Sequence, residues 1–164
     1  MQVNKRLQIL LTLLFVCFSA ACKSQPPASD KEEFKPVFRK DGTLWVISPV
    51  GETKAAFDIE IAEKDKDVLQ GLKYREDMED NQGMFFIFQY LDYHSFWMQD
   101  TFMSLDMLFM DSEGVITHIE KGAAPFSEEL ITPNMPNKYV LEVKAGIVDR
   151  LNIKELDKIK WERN

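Results

Sequence analysis

Between Phe96 and Asp111 the chain sets three carboxylates, Asp100, Asp106 and Asp111, and two hydroxyls, Thr101 and Ser104, among large aromatic and methionine side chains. Two carboxyl groups about 5–9 Å apart are the equipment of a glycoside hydrolase, so an acid cluster here opens that chemistry. A few fixed polar groups in apolar surroundings also line small-molecule pockets. Asp106 lies between Leu105 and Met107 on an apolar run. A carboxylate there must find donors, and Arg75, Thr101 or backbone N–H groups are the candidates. Its functional reading is a ligand anchor or a carboxylate with a raised pKa. Its plain reading is an internal cap that fixes the loop 99–104. Trp97 suits stacking on a sugar or another flat ligand, and equally suits a core or rim position. The ligand-binding candidates are therefore Arg75, Trp97, Thr101 and Asp106.

Other chemistries lack their parts. There is no Gly-x-Ser-x-Gly elbow, and the two histidines, His94 and His118, have no evident partner nearby in sequence. The sequence calls for no cofactor, and two histidines without a free thiol argue against a His/Cys metal site. Whether the protein is an enzyme stays uncertain, with the balance toward a non-catalytic domain.

The elements that must position these residues follow from periodicity. Thr43–Ile47 reads as a first strand, and Ala56–Ala62 alternates so that Phe57, Ile59 and Ile61 share a face. Asp65 is placed to cap a helix over 66–75, with Gly71 inside it at a cost of roughly 1 kcal/mol, which suggests close approach to another element. Met84–Phe88 is apolar throughout and central. Asp111-Ser112-Glu113-Gly114 forms a hairpin turn with positive φ expected at Gly114. Residues 122–138, with Pro125, Pro133 and Pro136, make a long irregular crossing. Tyr139–Val143 is a strand, Ala145–Leu151 a short helix and Lys158–Trp161 a last strand. The expected fold is α+β, mainly β: one compact domain of mostly antiparallel, partly closed, barrel-like sheet with two short helices.

That domain spans residues 40–164. Before it, Lys5 and Arg6 precede the apolar run Leu7–Phe18, which is short of the roughly 20 residues that cross a bilayer. Basic, apolar, then small is the order of an export signal. Ser19-Ala20-Ala21-Cys22 resembles the lipobox of bacterial lipoproteins, which implies cleavage after residue 21 and lipidation of Cys22. Two or three acyl chains would hold the protein on a membrane. Lys23 after the cysteine resembles an outer-membrane address. Residues 22–39, proline-rich and poor in apolar groups, read as a disordered tether whose ends lie about 20–25 Å apart. Processing removes two bases and no acid, leaving 18 bases against 27 acids and a formal charge of −9. Such a surface disfavours nucleic acid. With Cys17 discarded and Cys22 acylated, no disulfide remains.

From Phe57 to Trp161 the chain resembles the DUF192 family, a bacterial and archaeal domain with no settled activity. The resemblance rests on Gly71-Leu72-Lys73 with Arg75, on Gly83-Met84-Phe85-Phe86-Ile87-Phe88, on Phe96-Trp97-Met98-Gln99-Asp100-Thr101 with Ser104-Leu105-Asp106, and on Leu141-Glu142-Val143 with Ala145-Gly146. Lys73, Asp100 and Ser104 stand where the family has Met, Asn and Pro, and an Arg usual just before the helix glycine is missing.

Three functions stay open: an envelope lipoprotein whose domain binds a small molecule, glycan or protein; a glycan-directed hydrolase on Asp100, Asp106 and Asp111; and a structural partner of another envelope protein.

Overall fold

The computed structural model describes residues 36–164; the export signal, Cys22 and most of the expected tether lie outside the described residues. Seven strands form one sheet: β1 (Gly42–Ile47), β2 (Thr53–Ala62), β3 (Gln82–Asp92), β4 (Leu105–Met110), β5 (Ile116–Ala123), β6 (Asn137–Lys144) and β7 (Lys158–Arg163). Their spatial order is β5-β4-β6-β3-β2-β1-β7. Every pairing is antiparallel except β2 with β3. That parallel pair requires a crossover, and the crossover carries α1 (Asp65–Gln70) across one face of the sheet. The second helix, α2 (Ile147–Arg150), follows β6.

The sheet curls, and its two edges meet at one end. Val115 bridges Lys158, and the N–H groups of Ile116 and Ile159 reach the carbonyls of Asp157 and Gly114 at 2.8 Å each. The sheet is thus barrel-like and fastened at that end.

Period-2 alternation sorts the side chains onto two faces. Phe57, Ile59 and Ile61 of β2, Leu108 and Met110 of β4, and Leu141 and Val143 of β6 join the inner core, against which α2 packs. Met84 and Phe86 of β3, Leu105, Met107 and Phe109 of β4, and Val140 of β6 form the outer core. Leu72, Met78, Met98 and Met103, from the segments flanking α1 and β4, cover it. β4 is buried along its whole length because both faces are covered.

Two expectations about turns resolve differently. The hairpin turn forms as read: Gly114 has φ +78°, and Asp111 Oδ1 accepts the N–H of Glu113 and of Val115 at 2.8 and 2.9 Å. The first helix is shorter than the expected 66–75, and Lys64 rather than Asp65 is its N-cap. It stops at Gly71, whose φ of +49° ends the helix; the glycine lies against Phe86, whose ring carbon would meet an added Cβ at 3.7 Å. Backbone bonding also starts one residue before the expected domain boundary, since Arg39 N–H donates to Glu60 Oε1 at 3.1 Å.

Candidate functional site

A buried carboxylate needs donors, and three of the four buried acids in the described residues receive them from the chain itself. Asp106 Oδ1 accepts the N–H of Gly122 at 2.9 Å, and its Oδ2 accepts those of Gly146 and Val148 at 2.9 and 3.1 Å. Glu60 Oε1 holds Arg75 Nη2 at 2.6 Å. Asp157 Oδ2 takes Lys54 Nζ at 2.7 Å and Lys154 N–H at 2.8 Å. Glu142 is the exception. It is 4% exposed, and no hydrogen bond or ion pair reaches its side chain from any described residue.

Position explains why. On β6, Leu141 and Val143 point inward, so Glu142 points to the outer face. Its cross-strand neighbours are Met84 on β3 and Met107 on β4, two side chains with no hydrogen to offer. Burial without compensation pushes the Glu142 carboxyl up to about 8. At neutral pH it is an acid that still carries its proton.

Glu142 borders a cleft of about 350 Å³ between the end of α1, β3 and the segment 93–101. Phe86, Phe88, Phe96 and Trp97 supply aromatic wall, and Gln99 and Thr101 supply polar groups. Several of these positions are fixed by packing. Phe96 meets Phe86 edge-on at 5.0 Å, and its backbone bridges Ile131. His94 stacks on Phe88 at 3.7 Å, with Nε2 3.1 Å from the carbonyl of Tyr90, which assigns the proton to Nε2. Trp97 is 46% exposed, and Lys73 Nζ stands over its ring at 5.7 Å.

The four candidate residues do not converge. Trp97 and Thr101 line this cleft; Arg75 and Asp106 do not. Arg75 is buried against Glu60, with its Nε left without a partner. Asp106 lies on the inner face with Leu108 and Met110, opposite the cleft. It does cap backbone N–H groups, but those of the β5 end and the start of α2 rather than of loop 99–104. Ser104 Oγ instead donates to Ala123 O at 2.9 Å, and Thr101 Oγ1 donates to Gln99 O at 3.4 Å.

The acid cluster also disperses. Asp106 and Asp111 sit at opposite ends of β4, about 16 Å apart at 3.3 Å per residue. Asp100 stands in a separate loop with φ +57°, its Oδ2 accepting Tyr74 Oη–H at 3.3 Å. That left-handed backbone suits Asn or Asp and little else, which accounts for an Asp at the family's Asn position.

Glu142 was missed as a site by sequence reasoning, although its signal equals that of Asp106: a lone acid inside an apolar strand with a strand on either side. A second depression, of about 400 Å³, lies between Met98 and the segment 122–132, with His118 and Glu120 at its edge.

Among the described residues, a curled seven-stranded sheet with a covered outer face and an aromatic cleft defines a small α+β domain with a pocket. Residues 46–161 match the family model DUF192, described as "Uncharacterized ACR". The chain belongs to the DUF192 family. It is similar to a solved structure from Sinorhizobium meliloti 1021 described as "a putative transcription regulator", at 35% identity over 77% of this chain and 97% of that one, with a TM-score of 0.72. It is also similar to a protein of unknown function from Novosphingobium aromaticivorans DSM 12444, at 30% identity over 73% of this chain and 84% of that one, TM-score 0.69. No curated protein matches the chain.

Proposed function

We propose that this DUF192 protein is a lipid-anchored cell-envelope protein whose folded domain binds a small ligand in the Glu142 cleft without transforming it. The observation that carries this reading is the contrast among the buried acids: three are neutralised from within, while Glu142 borders an open cavity of about 350 Å³. That volume falls within the range of small-molecule sites, and its aromatic walls and few polar groups match their usual lining. The placing of Asp106 and Asp111 at opposite ends of β4, and the use of both Asp106 oxygens by backbone N–H groups, argue against catalysis on Asp100, Asp106 and Asp111.

A fragment library screened by ligand-observed NMR tests the binding reading. Hits are expected to be displaced or weakened at least tenfold by Trp97→Ala, which removes one wall of the cleft. Hits that bind Trp97→Ala as they bind wild type would place the site elsewhere.

The envelope location is supported by the order Lys5-Arg6, Leu7–Phe18, Ala20-Ala21-Cys22, and Lys23 fits an outer-membrane destination. Cys22→Ser is expected to abolish processing and release the chain from the membrane fraction. Normal processing and unchanged fractionation of that variant would remove the anchor. A description as a transcription regulator does not transfer to a chain carrying −9 after processing, since DNA phosphates would repel it.

One observation favours a second reading, a protein-binding surface. Tyr74, Phe102 and Phe126 are exposed and touch in a row, with ring centroids 6.4 and 5.3 Å apart. Exposed aromatic groups of this kind mark interaction surfaces.

A further inference from the structure

Resting on the binding reading above, we infer that the ligand is an organic cation, whose ammonium or amidinium group pairs with Glu142 while its body lies against the aromatic walls of the cleft. The first support is the missing donor. Asp106, Glu60 and Asp157 each receive N–H groups from the chain, and two of these three include a cation. Glu142 is equally buried and borders the cleft, so the partner it lacks can arrive only from there. The second support is the wall chemistry. The indole of Trp97 already holds a cation, Lys73 Nζ, 5.7 Å from its centroid, and aromatic faces with a carboxylate behind them are how proteins hold quaternary and primary ammonium groups. An amidinium suits the site best, because its paired N–H groups can engage both oxygens of one carboxylate.

The other charged and titratable groups near Glu142 do not substitute for that partner. Lys73, after α1, is engaged with Trp97. Tyr93 and His94, after β3, share the cleft, but the His94 ring is held on Phe88. Across the sheet, Arg75 is paired with Glu60 on β2. Glu120 on β5 lies beyond Met107. Lys144, further along β6, reaches Asp77 at 2.9 Å.

Binding a cation requires Glu142 to ionise, so one proton leaves as the ligand enters. Affinity must therefore rise with pH, by about tenfold per unit while Glu142 is protonated in the empty site, and level off near pH 8. Benzamidine stays cationic over this range and has a neutral isostere of the same shape, benzamide, and an anionic relative, benzoate. With the purified full chain, calorimetry should show benzamidine binding at least tenfold more tightly at pH 8 than at pH 6, with proton release. Benzamide and benzoate should bind at least tenfold more weakly than benzamidine at pH 8. Glu142→Gln should abolish the preference for benzamidine and the pH rise, whereas His118→Gln, at a residue outside this cleft, should retain both.

If benzamide binds as well as benzamidine and Glu142→Gln weakens both, the cleft is a site but its ligand is a neutral acceptor, which overturns the cation. If Glu142→Gln leaves benzamidine binding unchanged, the cation is not held by this carboxylate. If neither the probes nor any library fragment depends on Trp97, the binding reading itself fails.

Discussion

Asp106→Ala is expected to destabilise the domain by roughly 3–6 kcal/mol, because it takes the acceptor from three N–H groups, one buried and two partly buried, at about 1–2 kcal/mol each. Those donors, on Gly122, Gly146 and Val148, belong to two segments that are distant in sequence. The carboxylate therefore ties the end of β5 to the first turn of α2, and its negative charge sits where that turn presents unpaired N–H groups. The loss is comparable to the whole stability of many domains, so Asp106→Asn is the informative companion. Asn has one carbonyl oxygen for two acceptor positions. Keeping it toward Gly146 and Val148 turns the amide NH2 onto the N–H of Gly122, donor against donor. About half of the loss should return. Urea midpoints of both variants measure this; an Asn variant as stable as wild type would show that the second oxygen holds nothing.

Glu142→Gln is expected to act in the opposite direction and to depend on pH. The folded state keeps the Glu142 proton up to about pH 8, whereas the unfolded chain releases it near pH 4.5. Between those values the unfolded state binds fewer protons than the folded state, so raising the pH favours unfolding. Wild-type stability should fall by about 1.4 kcal/mol per pH unit from this group alone and become flat above about pH 8. A glutamine has no proton to lose and can still present an N–H donor. The variant should thus equal wild type near pH 4.5 and exceed it by up to ~3 kcal/mol at pH 7. Comparing the two urea midpoints at pH 5 and pH 8 cancels every other titrating group. Parallel stabilities would mean that the carboxyl is already solvated or paired. A gain in stability on losing the acid is the mark of a group retained for function.

How much of this was legible in the sequence can be judged element by element. Period-2 runs placed Phe57, Ile59 and Ile61 on one face, and they line the inner core together. The turn at Gly114 was written in its residue types. The extent of the first helix was not: Val68, Leu69 and Leu72 keep helical spacing, yet Gly71 stops the helix and Leu69 ends up exposed. Periodicity does not sense a backbone that turns to positive φ.

The candidate site was legible only in part. Trp97 and Thr101 reach the cleft because the most distinctive segment of the chain builds its wall. Arg75 and Asp106 were read as partners because both are charged residues in apolar company, but they lie on opposite sides of the sheet, each with a different mate. Arg75 finds Glu60 on β2, and Asp106 finds N–H groups 16, 40 and 42 residues further on; a linear pattern carries no record of such choices. Leu141-Glu142-Val143 has the same pattern as Leu105-Asp106-Met107. What separates a capped acid from an open one is whether a backbone N–H happens to approach, and that is decided by the neighbouring strands.

The pairing of β1 with β7 bears on how the protein is made. Gly42 lies opposite Arg163, and the N–H of Asn164 reaches Asp41 O at 3.0 Å, so the first strand of the domain acquires one of its two neighbours only when β7, more than 100 residues later, arrives. Contacts this distant in sequence form late and slow the search for the native state. During synthesis β1 can pair on only one side until β7 has emerged. For a chain exported as proposed, that delay is useful, since a polypeptide that cannot complete its sheet until β7 appears stays extended enough to be threaded across a membrane before it folds.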